Sequence, residues 1–172
     1  GFDFYEQAKT DADIQLPKYA NYGLQYMARF NHLHKPFDNP KVRQAVIAAF
    51  NQDAFLRAQV GVKELYKSCG AMFVCGSPYG STAGSDLQMK SNMKKAQDLV
   101  KASGYDGTPI VLLHTTDIAV LTNAGPIAKT LLEQGGFKVQ MVPLDFQAIV
   151  ARRLRKTPPS DGGWNGFMTA WL

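Results

Sequence analysis

Ile110-Val111-Leu112-Leu113-His114, then Ala124 to Gln134, then Phe137-Lys138-Val139-Gln140-Met141-Val142 is the stretch that decides the fold. The first run is apolar, reads as a buried strand and ends in Thr115-Thr116-Asp117. Ala124 to Gln134 is predicted as a helix, stopped by Gly135-Gly136. Phe137 to Val142 alternates apolar and polar side chains, as a half-buried strand does. Asp145 is placed to cap a further helix, Phe146 to Arg155. Thr157 to Gly163 is a loop rich in Pro and Gly, and Trp164 to Trp171 is predicted as the last strand. Strand, helix, strand, helix, strand requires crossover connections and at least partly parallel pairing. The class is α/β, with an open mixed sheet and flanking helices.

Upstream, Phe4 to Lys9 is predicted as a short helix, broken by Leu16-Pro17, and Tyr26 to Asn31 as a strand. Val42, Ala45, Val46, Ala49, Phe50 and Leu56 recur at helical spacing. Pro40 suits the first turn of that helix, and Asp38 or Asn39 can cap it. A second helix starts at Asn51-Gln52-Asp53 and runs to about Val60, and another spans Ser91 to Ser103, with Gly104 just past its end. Gly61 to Ser85 lacks periodicity and is rich in Gly, Ser and aromatic residues. A loop of that length in a compact domain carries function or packs as an ordered cover.

Composition limits the alternatives. The 172 residues suit a single domain over 1–172, and 45% apolar with 19% charged side chains is enough for a core. No apolar run reaches the ~18 residues that a membrane span needs, and Gly1 to Glu6 lacks the pattern of a signal peptide. The net charge of +5 is mild, and its one cluster, Arg152-Arg153-Leu154-Arg155-Lys156, closes a predicted helix, where cations complement the dipole. Nucleic acid is therefore not an expected partner. Trp171-Leu172 ends inside an apolar strand with no polar tail, which reads as a cut chain.

The only two cysteines, Cys69 and Cys75, are flanked by glycines and can close a small disulfide loop, which favours an oxidising compartment; two buried free thiols are the alternative. A zinc site would need further thiols or imidazoles nearby. The three histidines, His32, His34 and His114, give one metal-site candidate, with His32 and His34 on one face of a strand if that strand extends to residue 34. No Gly-x-Ser-x-Gly elbow, phosphate-binding glycine loop or paired carboxylate is present. Neither catalysis nor a cofactor is expected. In open α/β sheets ligands lie beyond the carboxyl ends of the strands. Two segments suit that position: Thr115 to Asp117, which equally suits helix capping, and the aromatic loop from Phe73 to Tyr79, which equally suits a cover over the sheet.

Asn31-His32-Leu33-His34-Lys35-Pro36-Phe37-Asp38-Asn39-Pro40-Lys41-Val42-Arg43-Gln44-Ala45 resembles the Asn-x-x-x-x-Pro-Phe-Asp-x-x-x-Val-Arg-Gln-Ala signature of the peptide- and nickel-type solute-binding proteins of ABC transporters (family 5). Lys95-Ala96-Gln97-Asp98-Leu99-Val100-Lys101-Ala102-Ser103-Gly104-Tyr105 is similar to that family's Lys-Ala-x-x-Leu-Leu-x-x-Ala-Gly-Tyr helix. Ile127 to Val139 resembles its helix-then-strand step, Gly162 to Trp171 the strand leading toward the hinge, and Phe4-Tyr5-Glu6-Gln7 the start of the region.

The resemblance implies the second lobe of a two-lobed, type II periplasmic-binding-protein-like receptor of roughly three times this length. A dipeptide, oligopeptide or other small solute would lie between the lobes, and closure would signal a membrane ABC permease. The family often anchors a peptide's amino group with an Asp just beyond the Trp-containing strand, past Leu172 here. The expected ligand-binding residues are Asn31, from the motif, and Phe73, Tyr79, Thr116, Trp164 and Trp171, from position and chemistry. The resemblance implies a periplasmic or lipid-anchored extracytoplasmic location, a missing first lobe and self-association of an isolated lobe through exposed surface. A stand-alone protein-interaction domain and a metal-dependent enzyme using the three histidines are the competing expectations.

Overall fold

The computed structural model describes residues 2, 4–17 and 22–171; Leu172, part of the cut-chain expectation, lies outside them. Four strands form one sheet: β1 (Gln25–Phe30), β2 (Ile110–Thr115), β3 (Val139–Leu144) and β4 (Gly166–Trp171), in the order β1-β4-β2-β3. β2 runs parallel to both β3 and β4, and β1 pairs antiparallel with β4, Gln25 opposite Trp171 and Phe30 opposite Gly166. The mixed α/β sheet expected from the strand–helix alternation is thus observed. Seven helices flank it among the described residues: α1 (Tyr5–Thr10), α2 (Pro40–Ala49), α3 (Gln52–Val60), α4 (Asp86–Met89), α5 (Met93–Ala102), α6 (Ala124–Gln134) and α7 (Phe146–Arg152).

The unbroken apolar run in β2 follows from its central place. Its alternating side chains serve two cores. Ile110 packs with Val42 and Val46 of α2, Val100 of α5 and Leu132 of α6, and Leu112 with Phe55 of α3 and Ala124 and Ala128 of α6. Val111 and Leu113 face the other way, against Ile149 of α7 and Phe167 of β4. Four helices start on short polar caps: Asn39 Oδ1 accepts from Lys41 N at 2.9 Å, Asn51 Oδ1 from Ala54 N at 3.1 Å, Asn92 Oδ1 from Lys95 N at 2.9 Å, and Asp145 Oδ1 from Ala148 N at 2.8 Å. Each such cap contributes about 1 kcal/mol.

Several boundaries differ from the sequence reading, and those nearest the strand ends have local reasons. β1 stops at Phe30 because Asn31 Oδ1 accepts from Leu33 N at 3.1 Å and turns the chain, so His32 and His34 lie in the turn and not on a strand. β3 begins at Val139, since Phe137 is spent on the turn, packed edge-on against Tyr105 with centroids 5.2 Å apart. It extends through Pro143, which the sheet tolerates because β3 is an edge strand. α7 ends at Arg152: the Trp164 indole donates to Arg153 O at 3.0 Å, and the Arg152 guanidinium donates to Gly163 O at 3.0 and 2.8 Å. β4 starts at Gly166, two residues late, because Trp164 and Asn165 are engaged through their side chains.

Candidate ligand-binding site

The three mutually parallel strands end together. Thr115, Leu144 and Trp171 terminate β2, β3 and β4 along one edge of the sheet, and Gln25 opens antiparallel β1 at the same edge. This is where α/β sheets present ligand sites. Thr116 donates from both N (3.0 Å) and Oγ1 (3.1 Å) to Leu144 O, and Asp117 Oδ1 accepts from Phe146 N at 2.9 Å. Both residues therefore join β2 to the β3–α7 corner while standing exposed at the sheet edge. Asp117 thus accepts from the first residue of α7, beside the Asp145 cap.

The long loop reaches the same edge. Gln25 Nε2 donates to Met72 O at 3.1 Å and Tyr22 donates to Gly76 O at 3.4 Å. At its base the Gln52 side-chain amide bonds Cys69 twice, donating to its O at 2.7 Å and accepting from its N at 2.9 Å. Cys69 and Cys75 form a disulfide with Cα atoms 5.8 Å apart, so the loop is a closed ring, and the alternative of two free thiols is set aside. Gly70 lies against α4, where an added Cβ would fall 2.6 Å from Ser85 Oγ. Phe73 within the ring is 61% exposed and Tyr79, just past it, 78%, with their aromatic centroids 6.3 Å apart.

An open groove of about 2560 Å³ runs along β1 and under this loop. Of the expected ligand residues, Phe73, Tyr79, Trp164 and Trp171 line it, and Asn31 and Thr116 do not. Asn31 sits at the opposite end of the sheet, 6% exposed, its Nδ2 donating to Trp164 O at 3.1 Å and its Oδ1 occupied by Leu33 N. Trp164 shares that far end, packed edge-on to Phe167 at 5.2 Å.

Sequence reasoning missed Asn165, which is fully buried. Its Oδ1 accepts from Val111 N at 2.8 Å and its Nδ2 donates to Lys35 O at 2.9 Å, while its backbone O accepts from Asn31 N at 2.8 Å. One side chain thus fastens β2, β4 and the motif turn after β1. Gln25 and Gln52, which tether the loop, were missed as well; the only signal for them was proximity to the cysteine segment after folding.

The three histidines do not come together: among the described residues no group of three or more His, Cys, Asp or Glu side chains could hold a metal ion. His34 Nε2 bonds Lys156 O at 2.9 Å, and His114 Nδ1 is buried without a hydrogen-bond partner against Gly125. Burial pushes the His114 imidazole below its ordinary pKa. The metal-dependent enzyme expectation has no geometry to rest on. No helix among the described residues is long and apolar enough to cross a membrane.

Comparison with known proteins agrees with this architecture. The chain is 30% identical over 170 residues to the "Probable peptide ABC transporter periplasmic-binding protein y4tO" of Sinorhizobium fredii, covering 97% of this chain and 32% of that protein. It is 33% identical over 107 residues to "Di/tripeptide-binding protein 1" of Pseudomonas aeruginosa, covering 60% of this chain and 19% of the relative. Among solved structures, the periplasmic binding protein DppA of Helicobacter pylori in complex with peptide STSA superposes with a TM-score of 0.75 at 20% identity, over 99% of this chain and 31% of that one. NikA of Brucella suis in complex with Fe(III)-EDTA superposes with a TM-score of 0.69 at 17% identity, over 98% and 34%. These likenesses fix the fold, and the chain spans about a third or less of the relatives' lengths. The profile of the bacterial extracellular solute-binding proteins, family 5 Middle, matches residues 2–172, and the chain belongs to that family of binding proteins rather than enzymes.

Proposed function

We propose that this chain forms one lobe of the solute-binding component of an ABC importer for dipeptides or oligopeptides, with the ligand held against the carboxyl-terminal edge of the sheet. The observation that carries this reading is the match, over nearly the whole chain, to a relative named as a peptide ABC transporter periplasmic-binding protein. The geometry supports it: three strand ends, the Thr115–Asp117 corner and the tethered aromatic loop converge on one edge. The rest of a polypeptide of the relatives' length would supply the opposing wall, and closure of the two walls would present the loaded protein to a membrane permease. The disulfide suits an oxidising, periplasmic location.

Phe73, Tyr79 and Trp171, which line the groove, form the ligand-facing set in this reading, with Thr116 outside the groove just past the end of β2. Asn31 and Trp164 act at the far end, holding the sheet to the turn that precedes α2. Calorimetric titration of the full-length protein carrying this chain with di-, tri- and tetrapeptides tests the proposal. Saturable one-to-one binding with a Kd of about 10 μM or tighter, near −7 kcal/mol, is expected. Absence of heat and of any thermal shift across all three lengths refutes it.

A further inference from the structure

The loop from Ser68 to Ser85 is unusual in one respect: none of its residues is charged, although Lys67 and Asp86 flank it and 19% of the chain is charged. It nonetheless lies at the surface, with Met72 86%, Phe73 61% and Tyr79 78% exposed. Apolar side chains on a mobile loop would fold inward or be shielded by polar neighbours. Here they are held outward by the disulfide, by the two-point Gln52 contact with Cys69 and by the Gln25 bond to Met72 O. The arrangement is preorganised, which lowers the ordering cost of binding.

We propose that this loop is the specificity wall of the ligand site, accepting an uncharged bulky apolar or aromatic side chain of a bound peptide and disfavouring a charged one; the inference rests on the peptide-binding reading above. Two features single out a ligand side chain as occupant. The Phe73 and Tyr79 rings expose roughly 250–300 Å² between them, well below the ~800 Å² per partner that a stable protein interface buries. The wall is also continuous with the groove that Trp171 lines at the strand ends. A lysine or glutamate side chain placed against it would lose hydration and find no counter-charge within the loop, whereas a phenylalanine would bury ring surface against two rings already in contact at 6.3 Å.

The test is a set of alanine tetrapeptides carrying Phe or Lys at each position in turn, titrated into the full-length protein and into its Phe73→Ala/Tyr79→Ala variant. At one position the Phe peptide should bind at least ~10-fold tighter than the Lys peptide, and in the variant that ratio should fall to about 1–2. A Phe73→Leu/Tyr79→Leu variant, which keeps the apolar bulk, should retain most of the preference and shows that the loop still folds. A Phe-over-Lys ratio unchanged in the alanine variant, or no positional preference in a wild-type protein that binds peptides, overturns the wall and leaves the peptide reading standing. Failure of every peptide to bind overturns both.

Discussion

Replacing Asn165 by alanine probes the joint between sequence motif and sheet. The side chain is fully buried and makes two hydrogen bonds, from Val111 N at 2.8 Å and to Lys35 O at 2.9 Å. Alanine leaves the Val111 N–H without its partner in the interior, and the partly buried Lys35 carbonyl without its donor. Each orphaned buried group costs about 1–3 kcal/mol, and the vacated volume adds a smaller cavity cost. The expected loss is about 3–5 kcal/mol, a large part of the ~5–15 kcal/mol that holds a domain folded. Urea unfolding measures the total. Hydrogen exchange over residues 108–115 reports the sheet whatever else the polypeptide contains, and the Val111 amide should lose protection first. Asn123→Ala is the contrast, because its side-chain bond to Ala58 O lies at the surface and its removal should cost about 1 kcal/mol or less. An Asn165→Ala protein as stable as Asn123→Ala, with β2 exchange unchanged, would refute the account of Asn165 as the fastening.

Reducing the Cys69–Cys75 disulfide, or replacing both cysteines by alanine, opens a ring with a sequence separation of only 6. The chain-entropy cost is about 2 kcal/mol, so limited proteolysis should cut the loop faster and the urea midpoint should fall; equal midpoints with and without a dithiol would contradict the tethering role. Gly125→Ala should destabilise despite its helical position, where alanine is ordinarily favoured by ~1 kcal/mol. The added Cβ overlaps His114 Nδ1 and falls 2.9 Å from its Cγ. Pairing it with His114→Ala should recover part of the loss in a double-mutant cycle; additive costs would show that the two residues do not meet.

Elements whose own residues dictate them were legible in the sequence. Ala124 to Gln134 is helical over the predicted span, because its apolar positions and the Gly135-Gly136 stop are local signals. Asp145 caps α7 as read, and of the two candidates before α2 the structure selects Asn39. What failed was set by distant partners. Asn165 sits between Trp164 and Gly166 in a stretch that reads as continuous strand, and its bonds reach residues 54 and 130 positions away. Asn31 belongs to a ligand-binding family's signature, yet its amide is consumed by Trp164 O and Leu33 N, so the motif preserves a structural turn. For the candidate site, the strand-end rule pointed from sequence to the carboxyl edge of the sheet at Thr115 to Asp117 and to the aromatic loop from Phe73 to Tyr79. That Gln25 and Gln52 would hold the loop to that edge depends on contacts 47 and 17 residues apart, which no periodicity encodes.

The central claim is that the carboxyl-terminal edge of this sheet is one wall of a peptide site. Crystallising the full-length protein with a bound tetrapeptide tests it most directly. The account predicts peptide density against Trp171, Phe73 and Tyr79, beyond the ends of β2 and β4. Density at the opposite end of the sheet, beside Asn31 and Trp164, would contradict it.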